Sequence, residues 1–159
     1  RYPRISFHVL SADSATTYRA LEEREVDLVI VHMFEPVAKE HMDAEVLYNE
    51  LHAVLAGAKN PWTRRRSIEL ADLMEEPWTL PPADSLFGTV VLEAFRANGL
   101  DLPRVAVTAS FPVRNSMLTT GRFLTMAPAY VLRFPTRNTA LKALPIDLPM
   151  TRRPVGIIR

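Results

Sequence analysis

The sequence predicts an α/β protein built as two small lobes. Three observations carry that expectation. Strand-like and helix-like segments alternate along the whole chain. Residues 26–31 (Val-Asp-Leu-Val-Ile-Val) form a nearly continuous apolar run, as strands do when helices cover both their faces. Two extended stretches, residues 45–55 and 141–148, recur without helices, as strands passing between two lobes would.

Taken in order, residues 5–10 are rich in β-formers and read as a strand. Ser11, Ala12, Asp13 and Ser14 supply a cap-forming turn, and residues 15–24 a helix with Tyr18 and Leu21 facing inward. With residues 26–31 these make a βαβ unit whose crossover is right-handed. A loop through Phe34, Glu35 and Pro36 leads to the first extended stretch. Ser67 opens a short helix that Pro77 stops. A brief strand at 78–80 runs into Pro81, Pro82, Ala83, Asp84 and Ser85, and a helix over 86–98 closes at Gly99. A strand at 105–108, a helix over 113–120 ending at Gly121, and a strand at 123–126 stopped by Pro128 follow. A short helix over 129–133, irregular chain, the second extended stretch and a last strand at 154–158 complete the reading. The two lobes are expected at 1–51 with 146–159, and at 52–145.

Composition narrows the function classes. Of 159 residues, 48% are hydrophobic, enough to bury a real core or two small ones. Charged residues make up 23% and the net charge is +1, which argues against an electrostatic nucleic-acid footprint in this segment. With no cysteine, neither a disulfide framework nor thiolate chemistry is available. The apolar runs are too short to cross a bilayer, so a membrane role is not expected. The absence of an initiator methionine and the halt within an apolar strand suggest a piece of a longer protein.

Catalytic patterns are missing. There is no Gly-x-Ser-x-Gly elbow, no Gly-x-Gly-x-x-Gly and no P-loop. His8, His32, His41 and His52 lack the close helical pairing of a zinc site, and no cofactor or metal is expected. Glu22-Glu23 and Glu75-Glu76 read as solvated helix surface, and Arg64-Arg65-Arg66 as a charged loop without interleaved aromatics. What recurs is a strand end running into a turn that opens a helix: Leu10 into Ser14, Leu80 into Ser85, Ala109 into Val113, Met126 into Ala129. Ligands settle beyond the carboxyl ends of parallel strands, where helix N-termini present free N–H groups suited to a polar or anionic guest. For each of Ser14, Asp84 and Ser85 a plain helix cap is the simpler reading, and capping and binding are compatible because the cap sits at the helix mouth.

These residues carry a family resemblance over nearly the whole chain. Arg1-Tyr2-Pro3-Arg4-Ile5, then Leu21 and Val26-Asp27-Leu28-Val29-Ile30, resemble the opening strands of the LysR-type effector domain, with Glu25 where that family usually has glycine. Asn60-Pro61, residues 68–73 and Pro77-Trp78 resemble its next segment, and Gly121 to Pro128 its glycine-opened, proline-closed strand, with Arg122-Phe123 replacing Gly-Ile. The resemblance implies a type II periplasmic-binding-protein fold whose crossover strands would be residues 45–55 and 141–148. It implies a sensor of a small polar or anionic effector held between lobes, in a cytoplasmic, DNA-binding transcription regulator that is not an enzyme. A solute-binding transport protein on the same fold is the alternative. DNA would be touched only through an N-terminal domain outside this sequence, and the chain would pair as a homodimer or homotetramer. The first strand and helix of the first lobe and a final helix would also lie outside it. The residues the resemblance places at the ligand are Ser14, His32, Phe34, Asp84, Ser85, Phe87, Pro112, Val113, Met126 and Pro128. For His32 a structural, hydrogen-bonded role is the simpler reading, and Asp84 would disfavour a carboxylate immediately beside it unless it serves as a cap.

Overall fold

The computed structural model describes residues 4–12, 14–34, 42–133 and 141–159, and the chain divides into two compact units. Unit 1 comprises Arg1–Asn49 and Pro154–Arg159, and unit 2 comprises Glu50–Arg153. In chain order the elements are α1 (Ser14–Glu22), β1 (Val29–His32), β2 (Ala44–Glu50), β3 (His52–Gly57), β4 (Trp78–Leu80), α2 (Leu86–Ala97), β5 (Val105–Thr108), α3 (Phe111–Leu118), β6 (Leu124–Pro128), β7 (Leu141–Ala143) and β8 (Arg153–Ile158). Short 3-10 turns at Pro61–Arg64, Leu70–Leu73, Ala129–Leu132 and Pro149–Thr151 join them.

Unit 1 is a three-stranded sheet in the order β1-β8-β2, with β8 antiparallel to β1 from Val29↔Ile158 to His32↔Val155. Leu21, Val29, Val31 and Ile158 form its core, with Tyr18, Val26 and Met42 against them. Two expectations fail here. Residues 5–10 form no strand: nothing in the sheet pairs with them, and Phe7 and Val9 stand 85% and 84% exposed. β-propensity does not make a strand without a neighbour to complete its hydrogen bonds, so the βαβ unit is absent. Nor is β1 covered on both faces. Val29 and Val31 turn inward while Ile30 is 62% exposed, the alternation of a strand with one covered side.

The helix end that lacks glycine is solved by strain. Arg24 takes φ 59°, and the N–H groups of Glu25 and Arg24 reach back to the carbonyls of Ala20 (2.8 Å) and Leu21 (3.1 Å). This is the Schellman closure, with an arginine in the left-handed position at a cost of about 1–2 kcal/mol. Gly99 makes the same closure after α2 at φ 69° without that cost, as its place in the sequence predicted.

Unit 2 holds the larger sheet, in the order β5-β4-β6-β3-β7. β4 is parallel to β5 and β6, while β3 runs antiparallel to β6 and β7. The pleat sorts its side chains onto two cores. Val54, Ala56, Leu124 and Met126 join Trp78, Leu80, and Val91, Ala94 and Phe95 of α2. Leu55 and Ala127 pack instead with Leu118 of α3, Phe111 and Phe123. The helix expected from Ser67 is only the 3-10 turn Leu70–Leu73, closed by a reciprocal Glu69–Asp72 capping box. The stretch 141–148, expected to pass between lobes, lies wholly in unit 2. Its first three residues are the edge strand β7, and Leu144 and Leu148 fill the core.

Candidate functional site

Because β4, β5 and β6 are parallel, their carboxyl ends share one edge of the unit 2 sheet, and antiparallel β3 begins there, with His52 opposite Pro128. Three expected strand-to-helix junctions therefore converge on this edge: Leu80 to α2, Thr108 to α3, and Pro128 to the turn Ala129–Leu132. The fourth has no strand leading into it, since residues 5–10 are irregular.

At the first junction Ser85 is the N-cap of α2. Its Oγ accepts from Gly88 N–H (3.0 Å) and donates to the Pro82 carbonyl (2.6 Å). Gly88 has to be glycine, because a Cβ there would lie 2.1 Å from the Pro82 carbonyl oxygen. Asp84 is exposed in the same turn, and Phe87 is half-buried with its ring 5.5 Å from that of His52. At the second junction Pro112 and Val113 are exposed in the first turn of α3, with Val113 half open to solvent. Its N-cap, Ser110, makes no side-chain hydrogen bond to the helix. At the third junction Pro128 is half-buried at the edge, whereas the Met126 side chain is buried in the core against α2. Only the backbone of Met126 looks toward α3, where its carbonyl accepts from Arg114.

Three candidates lie in unit 1. Ser14 is the first residue of α1. His32 ends β1 and Phe34 follows it, with ring centroids 6.3 Å apart. Burial pushes the His32 pKa below its ordinary value, favouring the neutral ring.

Three buried polar residues of unit 2 were not singled out from the sequence. His52 opens β3 with its backbone N–H held by Thr151 Oγ1 (3.1 Å) and its ring on Phe87. Glu50 is buried and accepts from Tyr130 N–H (3.0 Å), fixing the turn after β6. Arg114, in the first turns of α3, is 6% exposed and donates from Nη1 to Thr125 Oγ1 (3.1 Å) and the Met126 carbonyl (3.3 Å). Burial lowers its pKa to about 10. A polar residue opening an apolar strand was the available signal for His52, and arginine amid the apolar residues of a short helix for Arg114. Among the described residues no group of three or more His, Cys, Asp or Glu is placed to hold a metal, and no helix is long and apolar enough to cross a membrane.

Comparison with known proteins adds a family to this geometry. A family model described as the LysR substrate binding domain matches residues 1–159. The transcriptional dual regulator GltC of Bacillus subtilis (strain 168) is 22% identical over an alignment of 161 residues that covers 99% of this chain and 52% of that protein. The chain thus spans about half the length of this curated relative. Among solved structures, the BenM effector binding domain with its effector benzoate superposes with TM-score 0.75 at 20% identity, covering 99% of this chain and 71% of that one. The regulatory domain of Synechocystis PCC6803 CcmR in complex with 2-PG gives 0.80 at 19% identity, covering 99% and 75%. The C-terminal domain of a probable LysR family transcriptional regulator from Rhodococcus sp. RHA1 gives 0.75 at 24% identity, covering 99% and 77%. At these identities the likeness is one of fold.

Proposed function

Since this chain belongs to the LysR substrate-binding-domain family and has the periplasmic-binding-protein type II fold of its structural relatives, we propose that it is the effector-sensing part of a transcription regulator. The observation that carries this reading is the match of the family model to all 159 residues. The carboxyl edge of the unit 2 sheet, with two α-helix starts opening on it, supplies a place for a ligand. In this reading the ligand is a small polar or anionic molecule, in keeping with the benzoate of the BenM domain. Its contacts in unit 2 are the Asp84–Ser85 turn, Phe87, Pro112, Val113, Pro128 and the backbone of Met126. Ser14, His32 and Phe34, also named from the sequence, lie in unit 1. The role is regulatory rather than catalytic, in a cytoplasmic homodimer or homotetramer, with DNA contacted by a domain outside these 159 residues. A ligand acts here only through unequal affinity for two conformations. The family match favours this role over solute transport.

Calorimetric titration of the purified chain against a panel of small carboxylates, phosphates and their neutral amides tests the proposal. One or more members is expected to bind and to raise the unfolding free energy by about 2.7 kcal/mol at a hundredfold excess over Kd. A panel in which nothing binds or shifts the melting temperature would sink it.

A further inference from the structure

The charge balance of unit 2 is incomplete at one buried point. Arg114 is all but sealed from solvent, yet no carboxylate pairs with it among the described residues. Its two acceptors, Thr125 Oγ1 and the Met126 carbonyl, are neutral, and Thr125 spends its own proton on the Thr79 carbonyl (2.6 Å). Arg114 Nε is buried and makes no hydrogen bond, and neither does the neighbouring Thr79 Oγ1. A cation taken out of water without a counter-charge is costly, which is why buried arginines ordinarily sit beside carboxylates.

The guanidinium lies beside the start of α3. Side chains on a helix lean toward its N-terminus, and Arg114 Cζ sits 5.5 Å from the ring centroid of Phe111, the first residue of α3. On its other side are Thr125 and Met126, the second and third residues of the five-residue β6. The N-cap Ser110 leaves the first N–H groups of α3 without a side-chain acceptor, and the helix dipole adds positive potential there. A nearly buried cation thus lies beside the uncapped start of an eight-residue helix.

We propose that Arg114 is the counter-ion for an anionic group of the ligand, a carboxylate or a phosphate, bound at the N-terminus of α3. This rests on the effector-sensing reading and sharpens it by naming the charge of the ligand and the residue that selects it. A planar guanidinium held by Nη1 and stacked on Phe111 keeps its remaining N–H groups in a fixed fork, a geometry that matches two oxygens of one anion. Neutral analogues lack the charge that repays the burial of Arg114.

Nuclear magnetic resonance of the Arg114 Nε–H group and the Phe111 and Val113 amides tests the proposal, at constant ionic strength. The probes are benzoate, inorganic phosphate and, as the neutral control, benzamide. Benzoate or phosphate is expected to shift these signals saturably, and benzamide is not. Arg114→Met should weaken anion binding about tenfold to a hundredfold, as loss of a charge-assisted hydrogen bond implies. Arg114→Lys, which keeps the charge but not the fork, should lose less and carries the test should the methionine variant fail to fold. Equal anion affinity in the folded variants, or signals unmoved by both anions, overturns the proposal. If another member of the calorimetric panel binds while the Arg114 signals stay still, this inference falls and the effector reading stands. If nothing binds, both fall.

Discussion

Trp78→Ala is expected to lower the stability of unit 2 by about 3–5 kcal/mol, the range for deleting a fully buried large aromatic. Trp78 is completely buried in the middle of the main core. Its ring meets Phe95 edge-on at 5.3 Å between centroids, the favoured geometry for two such rings. Its Nε1 donates to the Leu73 carbonyl at 2.9 Å, so the indole also fastens the 3-10 turn Leu70–Leu73 to the sheet. Alanine removes that hydrogen bond, the ring contact and the packing of β4 against α2 together. A domain's whole stability is about 5–15 kcal/mol, so the loss is a large share of it. Denaturant unfolding followed by circular dichroism gives the number. A loss under about 1 kcal/mol would mean that α2 is not held through this residue. Trp78→Phe, which keeps most of the volume, should be much milder.

Gly57→Ala is the second large effect. Gly57 ends β3, and a Cβ built on it lies 2.1 Å from the backbone oxygen of Leu118 and 3.1 Å from its carbonyl carbon. No side chain can swing aside to make room, because the obstacle is main chain. That oxygen also accepts from Gly121 N–H at 2.9 Å, while Asn60 donates from Nδ2 to the Gly121 carbonyl at 3.0 Å and from its backbone to Gly57 O at 2.8 Å. One methyl group must therefore pry apart the end of α3, the turn before β6 and the loop after β3. The expected cost is about 3 kcal/mol, at the upper end for overpacking. Gly99→Ala is the control: nothing lies within 4 Å of its built Cβ, so only the left-handed backbone, about 1–2 kcal/mol, is penalised. Should the two variants melt together, the contact with Leu118 is not what fixes residue 57 as glycine.

The elements most legible in the sequence are those written by local chemistry. Ser85 marks the start of α2 and Gly99 its end, and Pro128 closes β6, because caps and stops act within a few residues of where they stand. What failed depended on partners distant in sequence. Residues 5–10 and β1 have strand composition, but whether a strand forms and which faces it buries are set by neighbours that composition does not name. The same limit governs the site. The turns of unit 2 were readable as junctions, and the structure brings three of them to one edge. Met126 was chosen as the last residue of an expected strand, but the pleat turns its side chain to the opposite core. Arg114 was passed over because its burial is created by β6, eleven residues further on.

The pairing of β1 with β8 has a consequence for the order in which the molecule is assembled. Val29 meets Ile158, so the sheet of unit 1 joins two segments with the whole of unit 2 between them. Unit 2 is one uninterrupted stretch, and its contacts close shorter loops. On a ribosome every residue of unit 2 is made before β8 exists, and in refolding the long loop is the last to close. Pulse-labelled hydrogen exchange is expected to find the amides of Val54 and Met126 protected before those of Val29 and Val31, and the reverse order would refute it. A chain made this way completes the sheet of unit 2 first and closes that of unit 1 only once β8 is in place.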